Sequence, residues 1–288
     1  MYAANIDYYR PKTVAEAVEL LRKNKDARLL AGGHSLLPAM KLRTAAPSAL
    51  VDIGRIKSLA GITATKTALK IGALTTHASI AASEVVKARC PILAEAAAQI
   101  GDLQVRNRGT IGGSLAHADP AADFPTVILA LGATLSATGP KGKRDIPAEK
   151  FFIDLFTTAL KAGEVLTSVS VPVMKAGTGG AYLKHRHPAS NYAVVGVAAR
   201  VTLKDGRCAD VSLVVGGVTA NPTRCAAAET ALKGQPADEA TIAAAAEKVR
   251  EATADPMSDV YASGEYRRHL ATVMARRALM KAVERARG

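Results

Sequence analysis

Two glycine pairs pose the chemical question in this 288-residue chain. One lies in LLAGGHSLLPAM, from Leu29 to Met40, and the other in TIGGSLAHADPAADFP, from Thr110 to Pro125. Each follows strand-like or irregular chain, is flanked by hydroxyl residues and precedes a more helical run. Glycine admits positive φ and close backbone approach, so successive N–H groups can converge on one anion while nearby hydroxyls add donors. Hydrogen bonds to a charged acceptor contribute about 1.5–3 kcal/mol each. Donors from Gly32, Gly33, His34 and Ser35, joined by Thr110, Gly112, Gly113 and Ser114, would hold a diphosphate. Taken singly, each pair also reads as a tight turn.

The other polar residues of these loops need separate explanations. Carboxylates repel phosphate, so one of Asp119 and Asp123 can accept from a ribose or ribityl hydroxyl. Asp123 can instead cap a helix beginning near Phe124-Pro125. His34 and His117 can assist an anion. His185 and His187 form an isolated H-x-H with no third ligand, and no metal site is expected from them. AGGHSLL is not G-x-G-x-x-G and no GKS or GKT occurs, which excludes the common nicotinamide and P-loop patterns. There is no G-x-S-x-G and no cysteine with an activating partner. A cofactor that carries its own redox chemistry fits that absence.

The elements that must position these loops read as follows. Thr13 to Lys23, TVAEAVELLRK, has helical spacing behind a capping-box pattern, and ARLLAGG and SALVDI follow it as strands, giving a βαβ-like unit over the first 60 or so residues. GITATKTALKIGALTTHASIA alternates as strand before turning helical. CPILAEAAAQI reads as a helix ending near Gly101, with the Thr110 stretch following as one loop. PTVILALGATLSATG gives a helix or buried segment and then a strand, GKRDIPAEKFF a polar stretch, and GEVLTSVSVP a cleanly alternating strand. KAGTGG, Lys175 to Gly180, reads as a linker. Beyond it come three strands, the last two joined at KDG, and then two helical segments. The fold class is therefore α+β, with a first domain over residues 1–175, in subdomains of about 1–60 and 61–175, and a second over 176–288.

Composition narrows the function classes. Apolar residues make up 49% of the chain, enough for a substantial core without staples. The three cysteines are scattered without C-x-x-C spacing, which argues against disulfides and against an iron–sulfur cluster held here, and suits a reducing, cytoplasmic setting. No apolar run reaches the length of a membrane span. The formal charge of +13 gathers partly in YRRHLATVMARRALMKAVERARG. With aromatic residues at only 4%, a solvated basic helix face or a dock for an acidic protein partner fits better than a nucleic-acid surface.

AGGHSLLPAMKLR, QVRNRGTIGGSLAHADPAADFP, FFIDLFTTAL with GEVLTSVSVP, and YLKHRHPASNYAVVGVAA together resemble, in order and spacing, the FAD-binding medium subunits of the molybdenum hydroxylases. The resemblance runs over nearly the whole chain and is nearest to the carbon monoxide dehydrogenase branch. It implies a two-subdomain FAD-binding domain of the vanillyl-alcohol-oxidase/PCMH type followed by a C-terminal domain with a small antiparallel sheet. It implies that Ala31, Gly32, Gly33, His34 and Ser35 and Thr110, Ile111, Gly112, Gly113 and Ser114 wrap the FAD diphosphate. Asp123 would bind the polar part of the cofactor, Leu166 and Tyr192 would lie near the flavin, and Lys184 would contact it. No catalytic side chain and no metal ligand are implied for this chain. The molybdenum cofactor and [2Fe-2S] clusters would sit on a large and a small partner subunit, and electrons would leave to quinone or NAD. The complex would be cytoplasmic, or peripheral at the inner membrane. Two departures from the carbon monoxide branch stand out: Ser114, where that branch has Asn, and SNYA from Ser190 to Ala193, where it has GDYA. Medium subunits acting with partners on N-heterocycles, aldehydes or aromatic thioesters share these loops. A remoter alternative is a non-catalytic nucleotide-binding scaffold.

Overall fold

The computed structural model describes residues 3–288. The first unit begins with β1 (Asp7–Tyr9) and α1 (Val14–Lys23). The Thr13 hydroxyl caps α1 by accepting from the Glu16 amide at 3.1 Å, while the Glu16 carboxylate takes the Lys12 amide at 2.7 Å. The anticipated capping box thus forms with its carboxylate reaching one residue beyond the cap. Next come β2 (Arg28–Leu30), α2 (Leu36–Lys41) and β3 (Ala49–Asp52). The three strands are parallel in the order β1-β3-β2, and Ala17 and Val18 of α1 pack over Val51 and Ile53.

The second unit opens with β4 (Ile62–Ala64) and β5 (Ala68–Gly72). Six helices follow: α3 (His77–Ala82), α4 (Glu84–Arg89), α5 (Pro91–Gln99), α6 (Leu103–Arg108), α7 (Ile111–His117) and α8 (Asp123–Ala130). The chain returns through β6 (Thr134–Gly139), β7 (Gly142–Pro147), the short pair β8 (Phe152–Asp154) and β9 (Thr157–Thr158), and β10 (Val165–Pro172). The antiparallel sheet β4-β5-β10-β6-β7 covers the helices, with α8 buried over its whole length between this unit and the third.

Several sequence expectations change here. The stretch from Thr110 to Pro125 is not one loop: it forms α7, a left-handed residue at Ala118, and the start of α8. The polar GKRDIP is an edge strand, β7, whose exposed charges hid it. β10 does not alternate cleanly. A bulge between Leu166 and Ser168 moves the face that meets the main core from Leu166 to Val169 and Val171, while Val165 is buried against the first unit.

The third unit is a four-stranded antiparallel sheet in chain order, β11 (Thr178–Arg186), β12 (Ala193–Lys204), β13 (Arg207–Gly216) and β14 (Thr223–Arg224). Asp205 and Gly206 make the expected turn with φ of 51° and 72°. Helices α9 (Ala226–Leu232), α10 (Glu239–Glu247), α11 (Val249–Ala252) and α12 (Gly264–Arg287) follow. α12 lies across β11 and β12. A Cβ on Gly179 would stand 1.9 Å from the Ala282 carbonyl oxygen, so this glycine permits close helix–strand approach. Thr178 to Gly180 are therefore strand, and only Lys175 to Gly177 remain of the expected linker. Nor is the basic face of α12 simply solvated: Lys281 and Arg285 grip Glu95 of α5 at 3.0 and 2.8 Å, and Arg267 is buried.

Candidate functional site

β2 ends where the Ile53 amide takes the Leu30 carbonyl, and α2 starts where Leu37 and Ala39 donate to the carbonyls of Gly33 and Ser35. At this corner the carbonyls of Leu30, Gly33 and Ser35 are in use. Its amides are not: among the described residues, none accepts a hydrogen bond from the backbone N–H groups of Ala31 to Ser35. Gly33 has φ of 76°, the left-handed geometry that suits glycine. His34 folds back so that its Nδ1 lies 3.1 Å from the Gly32 carbonyl oxygen.

The second glycine pair behaves differently. Ile111 donates to the Thr75 carbonyl at 3.0 Å and Gly112 to the Ala73 carbonyl at 2.8 Å. Gly113 donates to the Thr110 hydroxyl at 3.1 Å, and Ser114 to the Thr110 carbonyl at 3.0 Å. These amides, expected to point at an anion, are held within the protein. Thr110, Ile111 and Gly112 are buried, and what the pair turns toward the first loop is half-buried Gly113 and Ser114.

The two loops touch, and their glycines are what allow it. A Cβ on Gly32 would lie 2.1 Å from the Arg108 carbonyl oxygen, and one on Gly113 would reach the Ala31 Cβ at 4.0 Å. Gly112 is pressed against the backbone of Ala73, with 2.7 Å from an added Cβ to the Ala73 oxygen. Beneath the approach to the second loop lies His77, whose amide donates to the Gly109 carbonyl at 3.0 Å and whose ring meets Phe124 edge-on at 5.2 Å. Burial, aided by the charges of His34 and Arg106, pushes its pKa down to about 4. Its Nδ1 has no partner among the described residues.

Asp123 begins α8 but does not cap it. It is 5% exposed; its Oδ1 accepts from the Tyr182 hydroxyl at 2.6 Å and pairs with the Lys184 ammonium at 2.8 Å. Lys184 also donates to the carbonyls of Gln99 and Asn191, each at 2.8 Å, so its three protons are all placed inside the protein. Burial pushes the Asp123 carboxyl up against the opposing pull of Lys184, and lowers Lys184 for the same reason. The direct cofactor contacts expected of Asp123 and Lys184 thus meet side chains whose polar atoms are engaged with each other. What this pair does in the structure is tie α8 and α5 to the β11–β12 turn.

That turn carries Tyr192, 41% exposed, and brings it close to Ser35 of the first loop. Partial burial and the nearby charge of Asp119 raise its pKa. Asp119 itself closes a tight turn, accepting from the Ala121 amide at 2.9 Å. Leu166 and Ile111 are core residues, 4% and 0% exposed, away from the polar surface. The features brought together are the open amides of Ala31 to Ser35, Tyr192 near Ser35, and Gly113 of the second loop against Ala31. Sequence reasoning missed Tyr182 and His77. Tyr182 carried a signal, since it sits two residues before Lys184 and so shares a face of the strand.

Residues 4–174 match the model of the FAD binding domain in molybdopterin dehydrogenase, and residues 180–282 that of the CO dehydrogenase flavoprotein C-terminal domain. The chain is 39% identical over 288 residues to the carbon monoxide dehydrogenase medium chain of Afipia carboxidovorans, covering 100% of both. It is also 39% identical over 291 residues to the 6-hydroxypseudooxynicotine dehydrogenase complex subunit alpha of Paenarthrobacter nicotinovorans, covering 100% of this chain and 97% of that one. Among solved structures, carbon monoxide dehydrogenase from Hydrogenophaga pseudoflava aligns with a TM-score of 0.96 at 40% identity over 99% of each chain.

Proposed function

This chain belongs to the FAD-binding medium subunits of the molybdopterin dehydrogenases, and on that premise we propose that it holds FAD non-covalently and passes electrons through a carbon monoxide dehydrogenase-type complex. The single observation that carries the site assignment is the run of open amides from Ala31 to Ser35, one at a left-handed glycine. Such a run suits the diphosphate of FAD, whose oxygens need several convergent donors. Ala31 to Ser35 would make those contacts, Ser114 would add a hydroxyl, and Tyr192 would flank the flavin. Thr110 to Gly113 would hold the first loop in place. FAD, once bound, supplies a centre that exchanges electrons singly or in pairs.

The chain's own residues perform the remaining work. Asp123 and Lys184 anchor the turn bearing Tyr192, and His77 fills the space beneath the second loop with a neutral ring. Among the described residues no cluster of His, Cys, Asp or Glu could hold a metal ion, and all three cysteines are buried. Iron–sulfur clusters and molybdenum then belong to a small and a large partner subunit, and an external quinone or NAD takes the electrons. Among the described residues no helix is long and apolar enough to cross a membrane; a cytoplasmic complex, peripheral at the inner membrane if attached to it, is the setting we assign. The residues up to 175 make the cofactor domain in this scheme and those from 176 the second domain. A second reading, an N-heterocycle as substrate of the complex, rests on the equal 39% identity to the 6-hydroxypseudooxynicotine dehydrogenase subunit.

The test is the visible absorption spectrum of the purified chain, with chromatography of whatever chromophore denaturation releases. Close to one FAD per chain is the expected result. A colourless chain that takes up no added FAD would overturn the reading.

A further inference from the structure

The turn between β11 and β12, His187 to Tyr192, is closed by its backbone at both ends. His187 donates its amide to the Tyr192 carbonyl at 2.8 Å, and Asn191, at φ of 59°, donates to the His187 carbonyl at 2.9 Å. The Asn191 carbonyl in turn receives Lys184 at 2.8 Å. Pro188 has no N–H, which leaves the amides of Ala189 and Ser190 to be satisfied within an exposed turn. Both go to one atom: His187 Nδ1 accepts from Ala189 at 3.2 Å and from Ser190 at 3.3 Å. An imidazole nitrogen can accept only when it carries no proton, so this arrangement requires a neutral ring protonated at Nε2.

The ring is also fixed from outside the turn. Tyr261 packs on it with ring centroids 4.4 Å apart. Tyr261 belongs to the segment before α12, where its amide and that of Ala262 donate to Asp259, whose carboxylate pairs with Arg267. Arg267 donates to the carbonyls of Val194 and Gly217, at 2.7 Å each, and so returns to β12 just beyond the turn. The titratable and charged groups around His187 are thus Tyr261 and Asp259 from that segment and Arg267 from α12, with Lys184, His185 and Arg186 at the end of β11.

We propose that His187 is a positioning residue for the flavin site: its neutral ring holds the turn that presents Tyr192 to the first glycine loop, and protonation at Nδ1 releases that turn. Gaining a proton there converts the acceptor of two amides into a donor that faces them. The inference rests on the assignment of FAD to the first loop, which Tyr192 approaches near Ser35.

The full chain, loaded with FAD, provides the test, in wild-type form and as His187→Asn and His187→Leu. Asn places an acceptor oxygen close to where Nδ1 stands but does not titrate, whereas Leu offers no acceptor. Two readouts are taken between pH 8 and pH 5: amide exchange across residues 187–193, corrected for its intrinsic pH dependence, and the visible circular dichroism of the flavin. In the wild type, acidification should speed exchange about tenfold, with the flavin signal changing in parallel. His187→Asn should stay protected at both pH values, and His187→Leu should exchange fast at both. Protection unchanged in His187→Leu would overturn the proposal. So would a turn that opens with acid while the flavin signal stays constant, since Tyr192 would then be independent of it. A chain that binds no FAD would instead overturn the cofactor reading, and exchange at Ala189 and Ser190 would still decide whether His187 holds the turn.

Discussion

The two glycine loops look alike in sequence and do opposite things with their backbones. In AGGHS the amides from Ala31 to Ser35 find no acceptor among the described residues, and in TIGGS those from Ile111 to Ser114 are all taken internally. The difference lies in what each loop is packed against. The second is buried on Ala73 and Thr75 and turns at once into α7, whereas the first lies at the mouth of β2, where the carbonyls of Leu30, Gly32, Gly33 and Ser35 are used and the amides are open. One loop therefore offers donors, and the other fixes where they stand. A Gly-Gly pair flanked by hydroxyls signals backbone approach, but not whether the approaching group is a ligand or another part of the chain.

The largest effect that separates the loops should come from Gly112→Val. Its side chain would be driven into the Ala73 backbone, so the chain should lose several kcal/mol of stability together with FAD, read as a lowered Tm of the cofactor-free protein. Gly33→Ala should be milder, about 1–2 kcal/mol of left-handed strain, yet weaken FAD binding out of proportion to its effect on Tm. Equal loss of FAD from variants of the two loops matched for stability would erase the distinction.

Lys184→Met should cost about 3–5 kcal/mol, because it leaves the Asp123 carboxylate buried without its counter-charge. Tyr182→Phe removes one hydrogen bond to the same carboxylate and should cost about 1–3 kcal/mol. Denaturant unfolding of the FAD-free protein measures both.

Acid should act on the second loop through His77. The His77 pKa falls from 6.5 to about 4 on folding, so between those values the unfolded chain binds a proton that the folded chain does not. Stability should then decrease as pH falls from about 6.5 to about 4 and level off below, by up to about 3 kcal/mol in all. His77→Phe should flatten that slope, and an unchanged slope would remove His77 as its source. The smallest effect on either loop is expected from charge reversal at Arg276 and Arg277, on the exposed face of α12. FAD retention and Tm should stay near wild type while co-purification with partner subunits weakens.

Much of this was legible before the fold was known. The βαβ start, the strands around Lys-Asp-Gly and the long last helix follow from periodicity and turn residues. The charged edge strand β7 was not, because an edge tolerates polar residues on both sides. The bulge at Leu166 hid in an alternating string, since one inserted residue reverses the inward face without altering composition. At the site, both loops could be located from their glycines. The Asp123–Lys184–Tyr182 cluster could not, because its members lie about 60 residues apart and meet only when α8 packs on β11 and β12. His187 looked like half of a weak metal motif, and its capping role became visible only once the turn had closed.

Residue-resolved amide exchange of the full chain with and without FAD tests the central contrast most directly. The account predicts that FAD strongly protects the amides of Ala31 to Ser35, while those of Ile111 to Ser114 are already protected in its absence. Exchange at Ala31 to Ser35 that is the same with and without bound FAD would contradict it.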